Sequence, residues 1–303
     1  MQAIEIVGAL TFLAIVGATF LLSLRSLVRR TWVVVDRVSL VAAALGLICI
    51  AYGYFIEPYR LTTTPIEIQT SKLRINSRIR IVQLSDLHSD PKPRLEPEIP
   101  NVVAALKPDV IVFTGDSINS PDGLPVFQKL LSSLSKIAPT FVVKGNWDAS
   151  FWAHLPLFEG TGAQELNGKG VRSEIRGTPI WIAGISDGNE SSLASMMKSI
   201  PESEFSVLLY HRPDLPREDG ANHVDLYLAG HTHGGQIALP LYGAIVTLSK
   251  FGKRYEAGLF HEQEMWLYVN RGIGMEGGVA PRVRFWSPPE ISVFDLVGTA
   301  STQ

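Results

Sequence analysis

Hydrophobic residues follow one pattern in the first sixty positions and a different pattern in the rest of the chain. Residues 6–24 and 38–55 contain no charged side chain over 19 and 18 positions, respectively, and a helix needs ~20 apolar residues to cross a bilayer core. These segments predict two transmembrane helices within a membrane anchor at residues 1–60. A signal peptide is the alternative for the first segment, and a buried core helix for the second. Residues 1–5 contain no lysine or arginine, which argues against a signal peptide.

The charged residues between the two segments predict the orientation of this two-span anchor. Arg25, Arg29, Arg30 and Arg37 lie in this stretch, and loops rich in lysine and arginine remain in the cytoplasm. The N-terminus and everything after residue 55 are therefore expected on the extracytoplasmic side, although basic residues also follow the second segment.

After residue 60, short apolar runs alternate with helix-like stretches. The runs IRIVQL, VIVF, FVV, SVLL and LYLA have the length and composition of buried strands. Stretches near residues 96–106 and 124–137 predict helices between the first of these strands. Such alternation is typical of an α/β domain with central sheets, and we assign this domain to residues 61–303.

Composition narrows the possible partners and ligands. The chain has 27 basic and 29 acidic side chains, and this balance gives no indication of nucleic-acid binding. Its single cysteine, Cys49, excludes an intrachain disulfide and a thiolate metal cluster. Any metal ligands in this chain are therefore nitrogen and oxygen atoms.

Polar residues with metal-binding side chains follow five of the predicted strands. They are Asp86 and His88, Asp116, Asn146, His211, and His231 with His233. In α/β proteins, ligands bind outside the carboxyl ends of the strands. Each residue alone has a simpler explanation as a turn, a helix cap or a packed histidine, but four of the seven histidines occupy such positions. The joint pattern therefore predicts one shared site.

The chemistry of this set indicates the metals and the reaction. Two aspartates, one asparagine and four imidazoles are too many ligands for one tetrahedral ion. Mixed nitrogen and oxygen ligands suit two manganese, iron or zinc ions, whereas calcium and magnesium prefer oxygen. Paired cations of this kind stabilise phosphoryl displacement, so hydrolysis of a phosphoester is the expected reaction.

The order of these motifs resembles a known family. D-x-H, G-D, G-N-x-D, a lone histidine after a strand and G-H-T-H are similar to the motifs of calcineurin-like metallophosphoesterases, over roughly residues 80–297. The stretches EPYRL, YVNRGIG and PPEISVFDL resemble a membrane-associated bacterial branch of that family. The resemblance implies a four-layered αββα sandwich with two mixed sheets, preceded here by the two predicted transmembrane helices.

The resemblance also implies a role for each motif residue. One metal would be bound by Asp86, His88 and His233. The other would be bound by Asn146, His211 and His231, and Asp116 would bridge both. The residues expected to serve catalysis are Asn146, His211 and Asp148.

Trp147 departs from the family pattern, in which a histidine commonly occupies this position and is thought to protonate the leaving group. An indole cannot act as a general acid near neutrality. Three explanations remain open. The substrate has a good leaving group such as a nucleotide phosphate, another group such as His154 or a bound water supplies the proton, or the site binds without turnover. Trp147, Phe151 and Trp152 form either a packed helix face or a wall for an acyl chain.

We therefore expect a membrane-anchored dinuclear hydrolase of phosphoester or diphosphate bonds, with the lipid bilayer and a phosphorylated, lipid-linked or membrane-proximal small molecule as partners. A UDP-2,3-diacylglucosamine type of substrate, cleaved by some relatives, is one candidate. UDP-sugars are made in the cytoplasm, however, and the domain is predicted outside. The alternatives are a non-catalytic membrane sensor or scaffold that retains a structural metal site, and a phosphatase tethered for location alone.

Overall fold

The computed structural model of this chain describes residues 3–29, 34–215, 223–277 and 281–300. Its helices alternate with strands after residue 60, as the hydrophobic pattern predicts. The helices are Ala3–Arg29 (α1), Val34–Phe55 (α2), Ile99–Leu106 (α3), Leu124–Ser135 (α4), Asn146–Phe151 (α5) and Leu193–Met197 (α6). The strands are Thr62–Thr70 (β1), Arg78–Leu84 (β2), Val110–Phe113 (β3), Thr140–Val142 (β4), Gln164–Glu165 (β5), Lys169–Ile175 (β6), Thr178–Ile185 (β7), Phe205–Tyr210 (β8), Leu226–Ala229 (β9), Ala238–Leu239 (β10), Gly243–Ala244 (β11), Gly258–Glu262 (β12), Met265–Val269 (β13) and Glu290–Gly298 (β14).

The two N-terminal helices pack against each other as a hairpin. Ser23 Oγ donates to the carbonyl oxygen of Ser39 at 2.9 Å. Ser26 Oγ donates to the Asp36 carboxylate at 2.6 Å. These bonds join polar positions of two mainly apolar helices, so the hairpin satisfies these two hydroxyl groups internally.

One of these helices meets the requirements of a membrane span by length and composition. The segment Val34–Tyr59 has 26 residues and a hydropathy of 2.1. In α1, the apolar stretch among the described residues is Leu13–Val28, which is shorter. The predicted helices are thus both present, and α2 supports the prediction of a membrane segment. Arg30 of the connecting loop lies outside the described residues.

Two six-stranded mixed sheets form the centre of the domain. The first has the strand order β1-β14-β2-β3-β4-β5, and the second has the order β12-β13-β9-β8-β7-β6. Strands β2 to β5 are parallel in the first sheet, and β13, β9, β8 and β7 are parallel in the second. The carboxyl ends of each parallel group therefore meet at one edge. This arrangement confirms the predicted α/β fold with two mixed sheets.

Three hydrophobic cores separate the domain into layers. One core lies between the two sheets and includes Ile81 and Val207. A second core joins the first sheet to α3 and α4 through residues such as Val103 and Phe127. A third joins the second sheet to α6 through Met196. Helices therefore cover the outer face of each sheet, which leaves the strand ends as the accessible edge.

Successive residues of the central strands face opposite layers. In β2, Ile79 and Ile81 contribute to the core between the sheets, whereas Val82 and Leu84 contribute to the core beneath the helices. Strands buried on both faces have near-continuous apolar sequences. This double burial explains why the central strands are recognisable as apolar runs.

Ile182→Ala should lower the free energy of unfolding by about 2–5 kcal/mol, because Ile182 is fully buried between the sheets and its truncation leaves a cavity. Ile75→Ala is the matched control. The Ile75 side chain is 64% exposed, so its truncation should change that free energy by less than about 0.5 kcal/mol. Denaturant unfolding of the full chain in detergent, followed by tryptophan fluorescence, measures both. Equal effects of the two substitutions would contradict the packing described here.

Candidate metal centre

The carboxyl ends of strands from both sheets meet at one edge of the sandwich. Backbone hydrogen bonds join neighbouring loops at this edge: the Asp86 N–H donates to Gly115 O, and the Gly230 N–H donates to His211 O, both at 2.9 Å. All seven predicted ligands follow these strands. They are Asp86 and His88 after β2, Asp116 after β3, Asn146 after β4, His211 after β8, and His231 and His233 after β9.

Two glycines let the loops approach more closely than a side chain would allow. A Cβ atom on Gly230 would lie 2.2 Å from Asp86 Oδ2, and one on Gly145 would lie 2.2 Å from Asp116 Oδ1. Each glycine directly precedes a predicted metal ligand. Alanine at either position would therefore displace a carboxylate of the site.

The buried carboxylates and imidazoles converge in two overlapping clusters. Asp86, His88 and His233 place one ligand atom each within 4.8 Å of one another. Asp86, Asp116 and His211 form the second cluster by the same measure. His233 Nε2 lies 3.3 Å from Asp86 Oδ1, and His211 Nε2 lies 3.2 Å from Asp116 Oδ2. The first cluster coincides with the ligand set that the resemblance implies for one metal. The second contains His211 of the set for the other metal, together with the bridging Asp116.

The two remaining predicted ligands flank the second cluster. The His231 and His211 ring centroids are 5.1 Å apart, and His231 Nε2 lies 3.3 Å from Leu248 O. The backbone N–H of His231 donates to the Asp86 carboxylate at 3.1 Å. Asn146 is the first residue of α5, and its Oδ1 atom is buried. The fold thus brings all seven predicted residues to one edge.

Several ligand atoms at this edge are buried and have no hydrogen-bond partner among the described residues. They are both ring nitrogens of His88 and Oδ1 of Asn146. An unsatisfied polar group in the interior costs about 1–3 kcal/mol, and divalent cations would satisfy one nitrogen of His88 and Oδ1 of Asn146. Imidazole nitrogens together with carboxylate and amide oxygens fit first-row divalent metals.

A backbone carbonyl fixes the orientation of His211. Its Nδ1 atom lies 2.7 Å from Thr114 O, so the Nδ1–H group donates to that carbonyl and Nε2 faces Asp116. Metal-binding histidines typically make such a bond, because it sets the ring orientation and leaves the other nitrogen for the metal.

Burial and charge give three of the imidazoles different pKa values. Burial lowers the pKa of His211, but the carboxylates of Asp116 and Asp86 outweigh this effect and raise that pKa to about 10. Burial lowers the pKa of His88 to about 4 and the pKa of His231 to about 3. The metal-free centre therefore holds a proton on His211 between two carboxylates, with neutral imidazoles at His88 and His231.

Asp148 supports the loops that follow β3 and β4. Its carboxylate accepts backbone N–H bonds from Asp116 and Ser117 at 2.9 Å and from Gly145 at 3.0 Å. Burial and the neighbouring Asp116 carboxylate raise the pKa of Asp148 to about 7, against these N–H bonds, which lower it. Both oxygens of Asp148 are thus engaged by backbone, and the side chain holds Asp116 in place.

Trp147 forms one wall of the centre. Its backbone N–H donates to Asp116 Oδ1 at 2.9 Å, and its ring packs edge-on against His88 with 5.3 Å between centroids. The indole Nε1–H donates to Glu276 Oε1 at 3.3 Å. Sequence reasoning missed Glu276, since nothing in its local sequence distinguishes it from a surface carboxylate. His154, by contrast, is exposed beyond the end of α5.

Sequence reasoning also missed Arg284, a fully buried residue behind His233. Arg284 Nη2 lies 3.3 Å from His233 Nδ1, and the same guanidinium donates to the carbonyl oxygens of Gly274, Arg271 and Ser287. Burial lowers the pKa of Arg284 to about 9. The guanidinium therefore ties the loop of His233 to the C-terminal segment.

The end of α2 is bonded to this same segment. The Arg284 backbone N–H donates to Gly53 O at 2.9 Å. The buried Glu57 carboxylate accepts from the Ser287 N–H at 2.6 Å, and Ser287 Oγ donates to His233 O at 2.6 Å. The membrane-type helix and the metal centre are thus connected by two short chains of hydrogen bonds.

Loading the metal centre should release about one proton from His211. With a pKa of about 10, this ring is protonated at pH 7 in the metal-free protein, whereas a metal ligand must be deprotonated. The apparent affinity for Mn²⁺ should therefore rise with pH, by up to about tenfold per unit from pH 7 to 9. Calorimetric titrations in two buffers of different ionisation enthalpy measure the released protons. Loading without proton release at pH 7 would contradict a protonated His211 in the metal-free centre.

Comparison with known proteins agrees with this geometry. The sequence matches the calcineurin-like phosphoesterase family over residues 79–235, a range that contains all seven predicted ligands. It is 35% identical over 264 residues to the uncharacterized metallophosphoesterase YkuE of Bacillus subtilis, and the match covers 82% of this chain and 90% of that protein.

Two further relatives have more specific names. The phosphodiesterase YaeI of Escherichia coli is 32% identical over 209 residues, covering 63% of this chain and 71% of that protein. The UDP-2,3-diacylglucosamine pyrophosphatase LpxG of Chlamydia trachomatis is 27% identical over 281 residues, covering 70% of this chain and 82% of that protein. From the family match and the similarity to YkuE, this chain belongs to the calcineurin-like phosphoesterase family of hydrolases.

Proposed function

We propose that this protein is a membrane-anchored hydrolase that uses two divalent metals to cleave phosphoester or diphosphate bonds in a lipid-linked or membrane-proximal substrate. The observation that carries the proposal is the pair of buried clusters around Asp86 and Asp116, with polar atoms of His88 and Asn146 that have no partner among the described residues. We assign Asp86, His88 and His233 to one metal, Asn146, His211 and His231 to the other, and Asp116 to both, with manganese, iron or zinc as the metals.

The residues of the chain position the substrate and its charge. Two divalent cations, when bound, supply Lewis acidity toward phosphoryl oxygens and lower the pKa of water. Thr114 O orients His211, which leaves the His211 Nε2 atom to hold a metal. Asn146 would hold the same metal through Oδ1 and offer its amide N–H group to a phosphoryl oxygen. Asp148 acts through Asp116 and is a positioning residue, because backbone groups engage both of its oxygens.

The indole at position 147 restricts the leaving group. Trp147 cannot protonate a departing alkoxide, and its own N–H is bonded to Glu276. A phosphate leaving group, as in a diphosphate, needs little protonation. Trp147 therefore favours diphosphates or activated esters over simple alkyl esters.

The proposed anchor comprises residues 1–60, with α1 and α2 as two spans, followed by the catalytic domain at residues 61–303. The helical hairpin supports two spans, and α2 alone has the required length and hydropathy. Arg25, Arg29 and Arg37 favour an extracytoplasmic domain. A substrate like that named for LpxG would require the opposite orientation, so we favour another lipid-linked diphosphate.

The first test is hydrolysis of bis-p-nitrophenyl phosphate by the purified full chain in detergent, with elemental analysis of its metal content. We expect about two metals per chain and activity that depends on them. His211→Ala should lower kcat/KM by more than about a hundredfold, since losing a group that merely orients a ligand costs 10–100-fold. His261→Ala, at an exposed position of β12, is the matched control and should retain activity. An ordered protein with less than one metal that stays inactive after reconstitution would favour a scaffold.

Trp147→His should raise the rate for poor leaving groups relative to good ones. An imidazole at this position adds a general acid, which typically contributes about 10²–10⁴-fold when the leaving group needs a proton. The measurement is the ratio of kcat/KM for a phenyl phosphodiester to that for its p-nitrophenyl analogue. Trp147→Phe removes the indole N–H without adding a proton donor and should leave the ratio unchanged. The same ratio in both variants would show that Trp147 does not limit the leaving group.

A further inference from the structure

A groove of about 790 Å³ lies between the end of α2 and the loop that follows the first metal ligands. One wall is aromatic and belongs to the membrane-type helix and the turn after it. The other wall is basic. The residues that define the two walls are Tyr54, Phe55 and Tyr59 on one side and Lys92, Arg94 and Arg282 on the other.

Arg94 lines this groove and carries buried hydrogen-bond donors that are unsatisfied. Its Nη2 group donates to Ile273 O at 3.2 Å, whereas its buried Nε and Nη1 atoms have no partner among the described residues. Glu96 accepts the backbone N–H of Arg94 at 2.7 Å. An arginine with free donors in a fixed fork matches the oxygens of a phosphate group.

The other basic residues strengthen the positive character of the groove. Lys92 is exposed. Arg282 is also exposed and forms an ion pair with Asp90. The three cations of this wall exceed the single acidic residue that lines the groove, Asp90. The groove is therefore complementary to an anion.

The aromatic wall lies where α2 would leave the bilayer. The side chains of Tyr54, Phe55 and Tyr59 are 55%, 69% and 57% exposed. They lie at the end of the segment Val34–Tyr59, which is long and apolar enough to cross a membrane. Tyrosine is enriched at the membrane–water interface, so the groove opens where a lipid head group would be found.

Hydrogen bonds join the segments that line the groove to the loops of the metal centre. Asn119 Nδ2 donates to the carbonyl oxygens of His88 at 2.9 Å and Met275 at 3.1 Å. The Gly274 N–H donates to Asp86 O at 2.7 Å. The segments around Asp90 and Met275, which line the groove, are therefore close in sequence or bonded to residues that hold the first metal in the proposed function.

We infer that the groove binds the lipid-side half of an anionic amphiphile, with its phosphate on Arg94 and Lys92 and its hydrocarbon chain along Tyr54, Phe55 and Tyr59. The role of this amphiphile as substrate rests on the proposed function, because its second phosphoryl group would then reach the metal centre. The binding itself depends only on the groove.

Calorimetric titration of the full chain in micelles tests the binding independently of turnover. The probes are dihexanoyl phosphatidic acid, which has a head group and chains, and glycerol 3-phosphate, which has the head group alone. We expect the phosphatidic acid to bind at least about tenfold more tightly, because its chains bury apolar area on the aromatic wall.

Substitutions test the basic wall and the aromatic wall of the groove separately. Arg94→Gln should weaken both probes by about 10–100-fold, the usual effect of removing a charge-assisted hydrogen bond. Lys92→Gln, at an exposed position, should weaken both to a smaller extent without endangering the fold. Phe55→Ser should weaken the phosphatidic acid alone. Lys169→Gln, an exposed lysine of β6 at the edge of the second sheet, is the matched control and should change neither affinity.

Three results would overturn the inference: equal affinities of the two probes, no effect of Arg94→Gln and Lys92→Gln, or binding that is lost in His211→Ala but not in Arg94→Gln. The last result would place the probes at the metal centre. If the protein binds phosphatidic acid as expected but hydrolyses no phosphodiester, the inference about the groove holds and the proposed function is excluded. Hydrolysis of the phosphodiester without binding of phosphatidic acid would support the proposed function and exclude the groove as a binding site.

Discussion

The burial of two carboxylates, Asp86 and Asp116, is the constraint on which the rest of the domain depends. Both are almost inaccessible, and a buried charge costs several kcal/mol unless cations and hydrogen bonds compensate it. The loops around them adopt a left-handed backbone to present ligands, with positive φ angles at Asp86, His88, Asp116, His231 and His233. Such conformations cost of order 1–3 kcal/mol each and persist where the surrounding structure imposes them. Here the two sheets and the brace of Asp148 impose them.

The end of α2 is bonded to the segment that supports this centre. Gly53 and Glu57, at the end of α2, bond to the segment that contains Arg284 and Ser287, and both of these residues contact His233. A phosphatase tethered for location alone would need no such bonds. The contacts make the position of His233 depend on the end of α2, so α2 and the candidate metal centre form one structural unit.

The fold and the ligand positions were predictable because both depend on local sequence. Strands such as β2 and β9 are buried on both faces and read as apolar runs, and their ligands follow them directly. Arg284 and Glu57 were not predictable, because their roles depend on tertiary contacts: Glu57 and its partner Ser287 are 230 positions apart. The three backbone donors that engage the Asp148 carboxylate were not predictable either, because only the folded loops bring them together. The prediction of a span in α1 rests on residue type alone.

Trp147 and the basic groove lead to the same chemical class by independent routes. In the proposed function, the indole at the metal centre provides no proton and so favours leaving groups that are stable as anions. In the proposed groove, Arg94 would bind a second phosphate on the side that adjoins the end of α2. A diphosphate satisfies both conditions, since one phosphate is attacked while the other departs as a stabilised anion. The exposed aromatic wall of the same groove would accommodate a hydrocarbon chain. A lipid-linked diphosphate combines the stable leaving group, the second phosphate and this chain.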